Sequence, residues 1–314
     1  MAKSPYTFLC LFITVVLLIH ISTTASGKKF YKYIDENGIT HYSDKPPETE
    51  QPVESWKIRA EDTKLKVRIV NRGTKREPRL YAVNPYNGPV QVHMKLIEQS
   101  NLVTEPSLPR SIVVPALREL HLASLGPIDT QKGWSYSYQY DVAFGDPNAQ
   151  HTPREGYRMP YPKGANVFIS QSFNGEITHS QDDANRFAVD LAMPEGTDIL
   201  AARSGVVMDL VRDFYEGGTH AKYLRRSNFV RILHADGSMA IYSHLKPEST
   251  VVRKGQRIKK GQKLAQSGNT GYSSGPHLHF AIQVNQNMKL KSVPFEFTSG
   301  SGVDFTPEVG PVPN

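Results

Sequence analysis

The feature that most narrows the fold is a side-chain period of two that recurs along the chain. Residues 90–96 read VQVHMKL and alternate apolar with polar at every step. Residues 134–140, WSYSYQY, set an aromatic ring at every second position. In residues 187–191, FAVDL, Phe187, Val189 and Leu191 share one face and Asp190 stands on the other. A strand sends successive side chains to opposite faces, whereas a helix returns to one face only about every 3.6 residues. Turn formers punctuate these runs at Asn84-Pro85, Asn87-Gly88-Pro89, Pro106 and Pro115. The pattern predicts a mainly β protein of short strands.

The chain has 314 residues, room for about two domains. Lys3, an apolar run over 8–21 and small residues over 22–27 form the pattern of a secretory signal, so residues 1–26 are read as a signal peptide cleaved near Ala25 or Ser26. The apolar run is short of the roughly 20 residues a bilayer span needs. An uncleaved segment that keeps the protein near a membrane is the alternative. Either way the chain is expected to be exported. Cys10, the sole cysteine, lies inside that segment. The exported chain would hold neither disulfide nor thiolate, and any metal must be bound by histidine and carboxylate. The net charge of +7 is spread over short clusters such as Lys28-Lys29, Arg225-Arg226 and Lys259-Lys260. No dense basic tract with interleaved aromatics is present, which argues against nucleic acid as partner. A mild basic bias suits an anionic polymer or membrane surface.

Residues 27–60 read as a small N-terminal β unit with a linker. Asn37-Gly38 between aromatic and β-branched runs is a hairpin signal. The sequence FYKYIDENGITHYSDKPP resembles a small domain of unknown function carried by many proteobacterial envelope proteins, and the resemblance implies location, the periplasm or cell envelope of a bacterium, more than chemistry. Residues 61–150 read as a β-sandwich-like domain without a catalytic constellation, whose role would be binding or spacing. Residues 146–156 are a second linker by composition. Residues 157–298 form a C-terminal unit, again with β patterning and with a local echo, KGQRIK followed by KGQKLA. The remainder, 299–314, is rich in Gly, Pro and Ser, and is expected to lack fixed structure.

Chemistry concentrates in that C-terminal unit. Residues 271–280 read GYSSGPHLHF, a glycine-rich turn feeding a strand on which His277 and His279 share a face. Two such imidazoles suit a metal or a hydrolytic water, yet by themselves they fit a surface pair equally well. His244, in MAIYSHL, lies at the end of another strand. A cupin spacing of Gly, five residues and His-x-His also fits. Gln283 and Val284 stand where that pattern needs glutamate.

The ordered series Pro194-x-Gly196-Thr197, Ala201-Ala202-x-x-Gly205, Tyr242-Ser243-His244-Leu245, Lys254-Gly255-Gln256 and Gly275-Pro276-His277-Leu278-His279-Phe280 resembles the lysostaphin/LytM-type zinc metallopeptidases, a family of peptidoglycan endopeptidases. It covers less than half of the chain. The resemblance implies a tightly wound antiparallel β domain with one Zn2+, and cleavage of peptide bonds in peptidoglycan cross-links or stems by a zinc-activated water. It implies Asp190 and His279 as metal ligands and His244 and His277 as catalytic residues. The family carries a further ligand, a histidine four residues before the aspartate, but Arg186 stands there and a guanidinium cannot coordinate. Two explanations compete. The site is degenerate, in a protein that binds peptidoglycan or activates other wall hydrolases. Alternatively His179 supplies the missing ligand across a short polar loop. The second is favoured because His244 and His277 are both retained. Similar sequences also carry Ser/Thr-His, a loop, then Asn-x-Tyr/Phe-Ala-x-Asp, with Asn185 as a loop or supporting residue. The expected ligand set is His179, Asp190 and His279.

Overall fold

The computed structural model describes residues 29–34, 40–43, 46–57, 66–154, 156–175, 179 and 182–313. The expected signal segment and the Asn37-Gly38 turn lie outside the described residues. No helix among the described residues is long and apolar enough to cross a membrane. The chain divides into two compact units, Met1–Glu61 and Asp62–Asn314. The fold is mainly antiparallel β, and the helical content of the described residues is one 3-10 turn, Ala221–Tyr223.

In the first unit, β1 (Lys29–Ile34) pairs on one side with β2 (Thr40–Ser43) and on the other with β3 (Val53–Lys57). The strand β3 lies in the polar stretch over 48–61 that reads by composition as a linker. An edge strand is held by backbone bonds along one side and can do without an apolar face, so composition hides it.

The second unit begins with β4 (Arg68–Asn71), β5 (Arg79–Val83), β6 (Val90–Ser100), β7 (Leu102–Glu105), β8 (Arg110–Val114), β9 (Glu119–Pro127) and β10 (Ser135–Phe144). They form two sheets, ordered β4-β5-β9-β7 and β10-β6-β8. Val90, Val92 and Met94 are buried between them with Leu80, Leu122 and Leu125, as alternation predicts. Gln91 breaks the pattern by being buried as well.

The cause is the neighbouring sheet. It contains β11 (Phe168–Gln171), β12 (Val189–Ala192), β13 (Gly205–Val211), β14 (Phe229–Leu233), β15 (Met239–Ser243), β16 (His277–Gln286) and β17 (Lys289–Ser292). Their order is β13-β14-β15-β16-β12-β11, with β17 paired to the far end of β16. Asn285 of β16 donates to the Gln91 side-chain oxygen (2.9 Å) and to Gly145 O (3.0 Å). Met208 and Met239 enter the sandwich core. The Arg231 guanidinium donates to Gln283 (2.6 Å) and lies 5.1 Å from the Phe144 ring. The two halves, which composition separates at residues 146–156, therefore share a core.

The strand β16 is the spine of this sheet. Leu278, Phe280 and Ile282 are fully buried on one face, where Phe280 packs on Tyr157, Tyr242, Phe295 and Phe297. The other face carries His277 and His279. Within 299–314, expected to be without fixed structure, two short segments pair instead. Asp304–Phe305 lies against Phe297–Thr298, and Gly310–Pro311 extends the sheet beyond β11. Backbone pairing to an open strand edge orders this segment, and Pro311 is tolerated because the outermost strand has no further partner to bond.

Candidate metal centre

Three neighbouring strands deliver the side chains that the sequence analysis singled out. Asp190 on β12 stands directly across from His279 on β16, and Ser243 at the end of β15 faces His279 from the other side. The next residue, His244, leaves the strand with φ of +62°. That left-handed conformation is costly for a residue with a side chain, by about 1–3 kcal/mol, and is characteristic of functional positions. Its backbone neighbours are equally constrained. Gly271 has φ of +85°, and a Cβ there would come within 2.9 Å of the Ser227 backbone. Only glycine lets the 268–272 segment run close enough for Thr270 O to reach His244.

His179 joins this group and is completely buried. Its Nε2 lies 3.4 Å from Asp190 Oδ1, and the His279 Nδ1 lies 2.8 Å from the same oxygen. The donor atoms of His179, Asp190 and His279 all fall within 4.8 Å of one another. His277 Nε2 approaches Asp190 Oδ1 at 3.9 Å. The His244 and His277 rings are 4.5 Å apart. Arg186 points elsewhere. Its guanidinium sits 3.6 Å from Asp183 and its side chain is half exposed. The strand β12 begins at Val189, later than the alternation over 187–191 suggests. Residues before it are held in a turn that returns Asn185 to the site.

For three of the rings the hydrogen bonds define which nitrogen carries the proton, because a backbone carbonyl oxygen can only accept. His179 donates from Nδ1 to Ser172 O (2.9 Å), His244 from Nδ1 to Thr270 O (2.7 Å) and His277 from Nδ1 to Gly275 O (2.8 Å). Each neutral ring therefore presents a bare Nε2. His279 is turned the other way. It meets an oxygen at each nitrogen, Nε2 at 3.1 Å from Asn185 Oδ1 and Nδ1 at 2.8 Å from Asp190 Oδ1, and a neutral ring that donates to Asn185 leaves Nδ1 bare against the carboxylate. The result is a buried His179 Nε2 without a hydrogen-bond partner, a bare His279 Nδ1 and a carboxylate oxygen, all facing one point. Three acceptors in that arrangement repel one another and lack donors, a cost of about 1–3 kcal/mol for each unmade bond. A proton or a cation relieves it. Two imidazoles and a carboxylate are a donor set that zinc accepts.

The electrostatics agree. Burial alone would raise the Asp190 carboxyl, but its close contacts with His179 and His279, with His277 nearby, outweigh it, so the group stays ionised far below the usual range. Burial likewise opposes a charge on His179, but the Asp190 contact prevails and raises its pKa. His244 is pushed down to about 3 by burial and by the neighbouring His277 and His279, and is a neutral acceptor at physiological pH. Gln171 was not foreseen from the sequence. A bulge in β11 sets it opposite Asp190, and its amide donates to Asp190 Oδ2 (3.3 Å). Ser172, Thr270 and Gly275 contribute through backbone carbonyls, which no side-chain pattern can reveal.

Comparison with known proteins places this geometry in context. Residues 184–290 match the model of peptidase family M23, and residues 17–65 match a domain of unknown function (DUF4124). The peptidoglycan DD-endopeptidase ShyA of Vibrio cholerae is 33% identical over 152 residues, 48% of this chain and 32% of that protein. The glycyl-glycine endopeptidase ALE-1 of Staphylococcus capitis is 30% identical over 158 residues, 49% of this chain and 36% of that protein. Among solved structures, the catalytic domain of lysostaphin from Staphylococcus simulans is 30% identical, covering 44% of this chain and 84% of that one with a TM-score of 0.25. The chain thus spans only about a third of the length of these curated relatives. The family match contains Asp190, His244, His277 and His279 but begins after His179. The structure brings that residue to the same point as Asp190 and His279.

Proposed function

We propose, on the premise that residues 184–290 form a peptidase family M23 domain, that the chain is a zinc-dependent endopeptidase acting on peptide bonds of peptidoglycan, with His179, Asp190 and His279 as ligands and His244 and His277 as catalytic residues. The observation that carries the reading is the convergence of two bare imidazole nitrogens and a carboxylate oxygen within 4.8 Å, with the tautomer of each ring held by a hydrogen bond. When bound, zinc supplies Lewis-acid activation of water and of the scissile carbonyl.

The chain's own groups do the rest. Asn185 and Ser172 O hold His279 and His179 with the correct nitrogens bare, and Gln171 orients the second oxygen of Asp190. Supporting contacts of this kind set ligand orientation and basicity. His244 and His277, side by side with Nε2 unprotonated, can each accept the proton of an attacking water. The imidazolium so formed can then donate to the developing oxyanion or to the leaving amine. Export to the cell envelope, where the substrate lies, completes the proposal. Names of relatives that include DD-endopeptidases support peptidoglycan as substrate.

Purified protein should carry one zinc per chain and release new amino termini from cross-linked peptidoglycan, with release stopped by a chelator and restored by zinc. Stoichiometric zinc without any cleavage would replace the enzyme by a wall-binding protein. Absence of zinc binding would remove the ligand set.

A further inference from the structure

The segment after residue 299 is joined to the metal-ligand group by an unbroken series of hydrogen bonds. The Ser172 hydroxyl is buried and donates to Pro307 O (2.7 Å). The carbonyl of the same Ser172 accepts the Nδ1 proton of His179 (2.9 Å), the bond that leaves Nε2 bare toward Asp190. Just upstream, Phe168 and Ile169 of β11 pair with Pro311 and Gly310, while Gln171 of the same strand donates to Asp190 Oδ2. One side of β11 and its continuation therefore contact two of the three ligands, and the other side contacts the C-terminal segment.

Without that segment, β11 would be an open edge next to a bulge, and the Ser172 carbonyl, which also accepts from the Gly175 N–H (3.1 Å), would lose the hydroxyl anchor on Pro307 O that helps to aim it at His179. An imidazole that loses its Nδ1 acceptor can take the other tautomer, which puts a proton where a lone pair is needed. We propose that residues 306–311 are a brace for the metal centre, and that Ser172 is a positioning residue through which they hold His179. The inference rests on the ligand set proposed above. It adds that a stretch acting through a backbone carbonyl and strand pairing sets metal affinity.

The test measures zinc affinity by competition with a fluorescent chelator, on full-length wild type, Ser172→Ala, Ser172→Thr and a chain ending at Phe305. The brace predicts zinc bound about 10- to 100-fold more weakly in Ser172→Ala and in the shortened chain, the range for loss of a supporting partner. Ser172→Thr, which keeps the hydroxyl, should recover most of the affinity. In the zinc-free proteins, the 15N shifts of the His179 ring should report an Nδ1–H tautomer in wild type and a mixture in Ser172→Ala. Zinc affinity in Ser172→Ala equal to wild type overturns the brace, even if both altered chains melt at lower temperature, since that outcome is mere structural support. Should the shortened chain fail to fold, the two serine variants decide alone. Wild type that binds no zinc would instead refute the ligand set, so the two failures are distinguishable.

Discussion

Replacing His179 by alanine should largely uncouple the stability of the protein from zinc. Ligand binding to the folded state alone stabilises it by about 4.1 kcal/mol at a free concentration 1,000 times Kd. For a folded unit of this size, each kcal/mol moves Tm by about 2–4 °C, so zinc should raise the wild-type Tm by about 8–16 °C. His179 is one of three converging donors and is completely buried, so no water can replace its nitrogen without rearrangement. Loss of a supporting partner weakens metal sites by up to about 100-fold, and loss of a direct ligand should cost at least that. At the same zinc concentration the variant would then sit near ten times its own Kd, worth about 1.4 kcal/mol or about 3–6 °C. Calorimetry of chelator-stripped protein, with and without zinc, reads the increment directly. Comparing each protein with its own stripped form cancels the cavity left by the missing ring. An unchanged increment in His179→Ala would refute the geometry, because the buried Nε2 would then have no part in binding.

Arg186→Ala should leave zinc affinity and wall hydrolysis unchanged and stability within about 0.5 kcal/mol, since the side chain is half exposed and faces Asp183; loss of zinc there would restore position 186 to the site. His244→Ala and His277→Ala should keep zinc yet lose about 10²- to 10⁴-fold in hydrolysis rate, and full activity in either would remove it from the chemistry. Asn185→Ala should weaken zinc by about 10- to 100-fold through the lost Nε2 contact of His279, measured by chelator competition. His234 provides a pH prediction outside the site. Burial pushes its pKa down to about 4, so the unfolded chain takes the proton first as pH falls. The stability is full above about pH 6.5 and declines toward pH 4 by about 3 kcal/mol. Denaturant titrations should show that loss reduced in His234→Asn.

Much of the candidate site was legible because its side chains are chemically distinctive and periodic. His277 and His279 share a strand face by parity alone, and Asp190 falls opposite its own apolar neighbours. A β fold follows from the same alternation, which depends only on how a strand alternates its side chains. Contacts between segments distant in sequence are a different matter. His179 was legible only through the resemblance, and what carries it to the site is the return of the 182–187 turn and the Ser172 carbonyl. Gln91 and Gln171 carry no signal in the chain, since the first is buried by Asn285 and the second is aimed by a bulge. The pairing of 304–305 and 310–311 escaped composition for a related reason, since backbone pairing to an exposed edge needs no apolar side chains. Residue type and spacing thus determine which strands form and which groups can do chemistry. Only the packed sheet decides which nitrogen of each ring is bare, because that depends on a carbonyl or amide brought alongside from elsewhere in the chain.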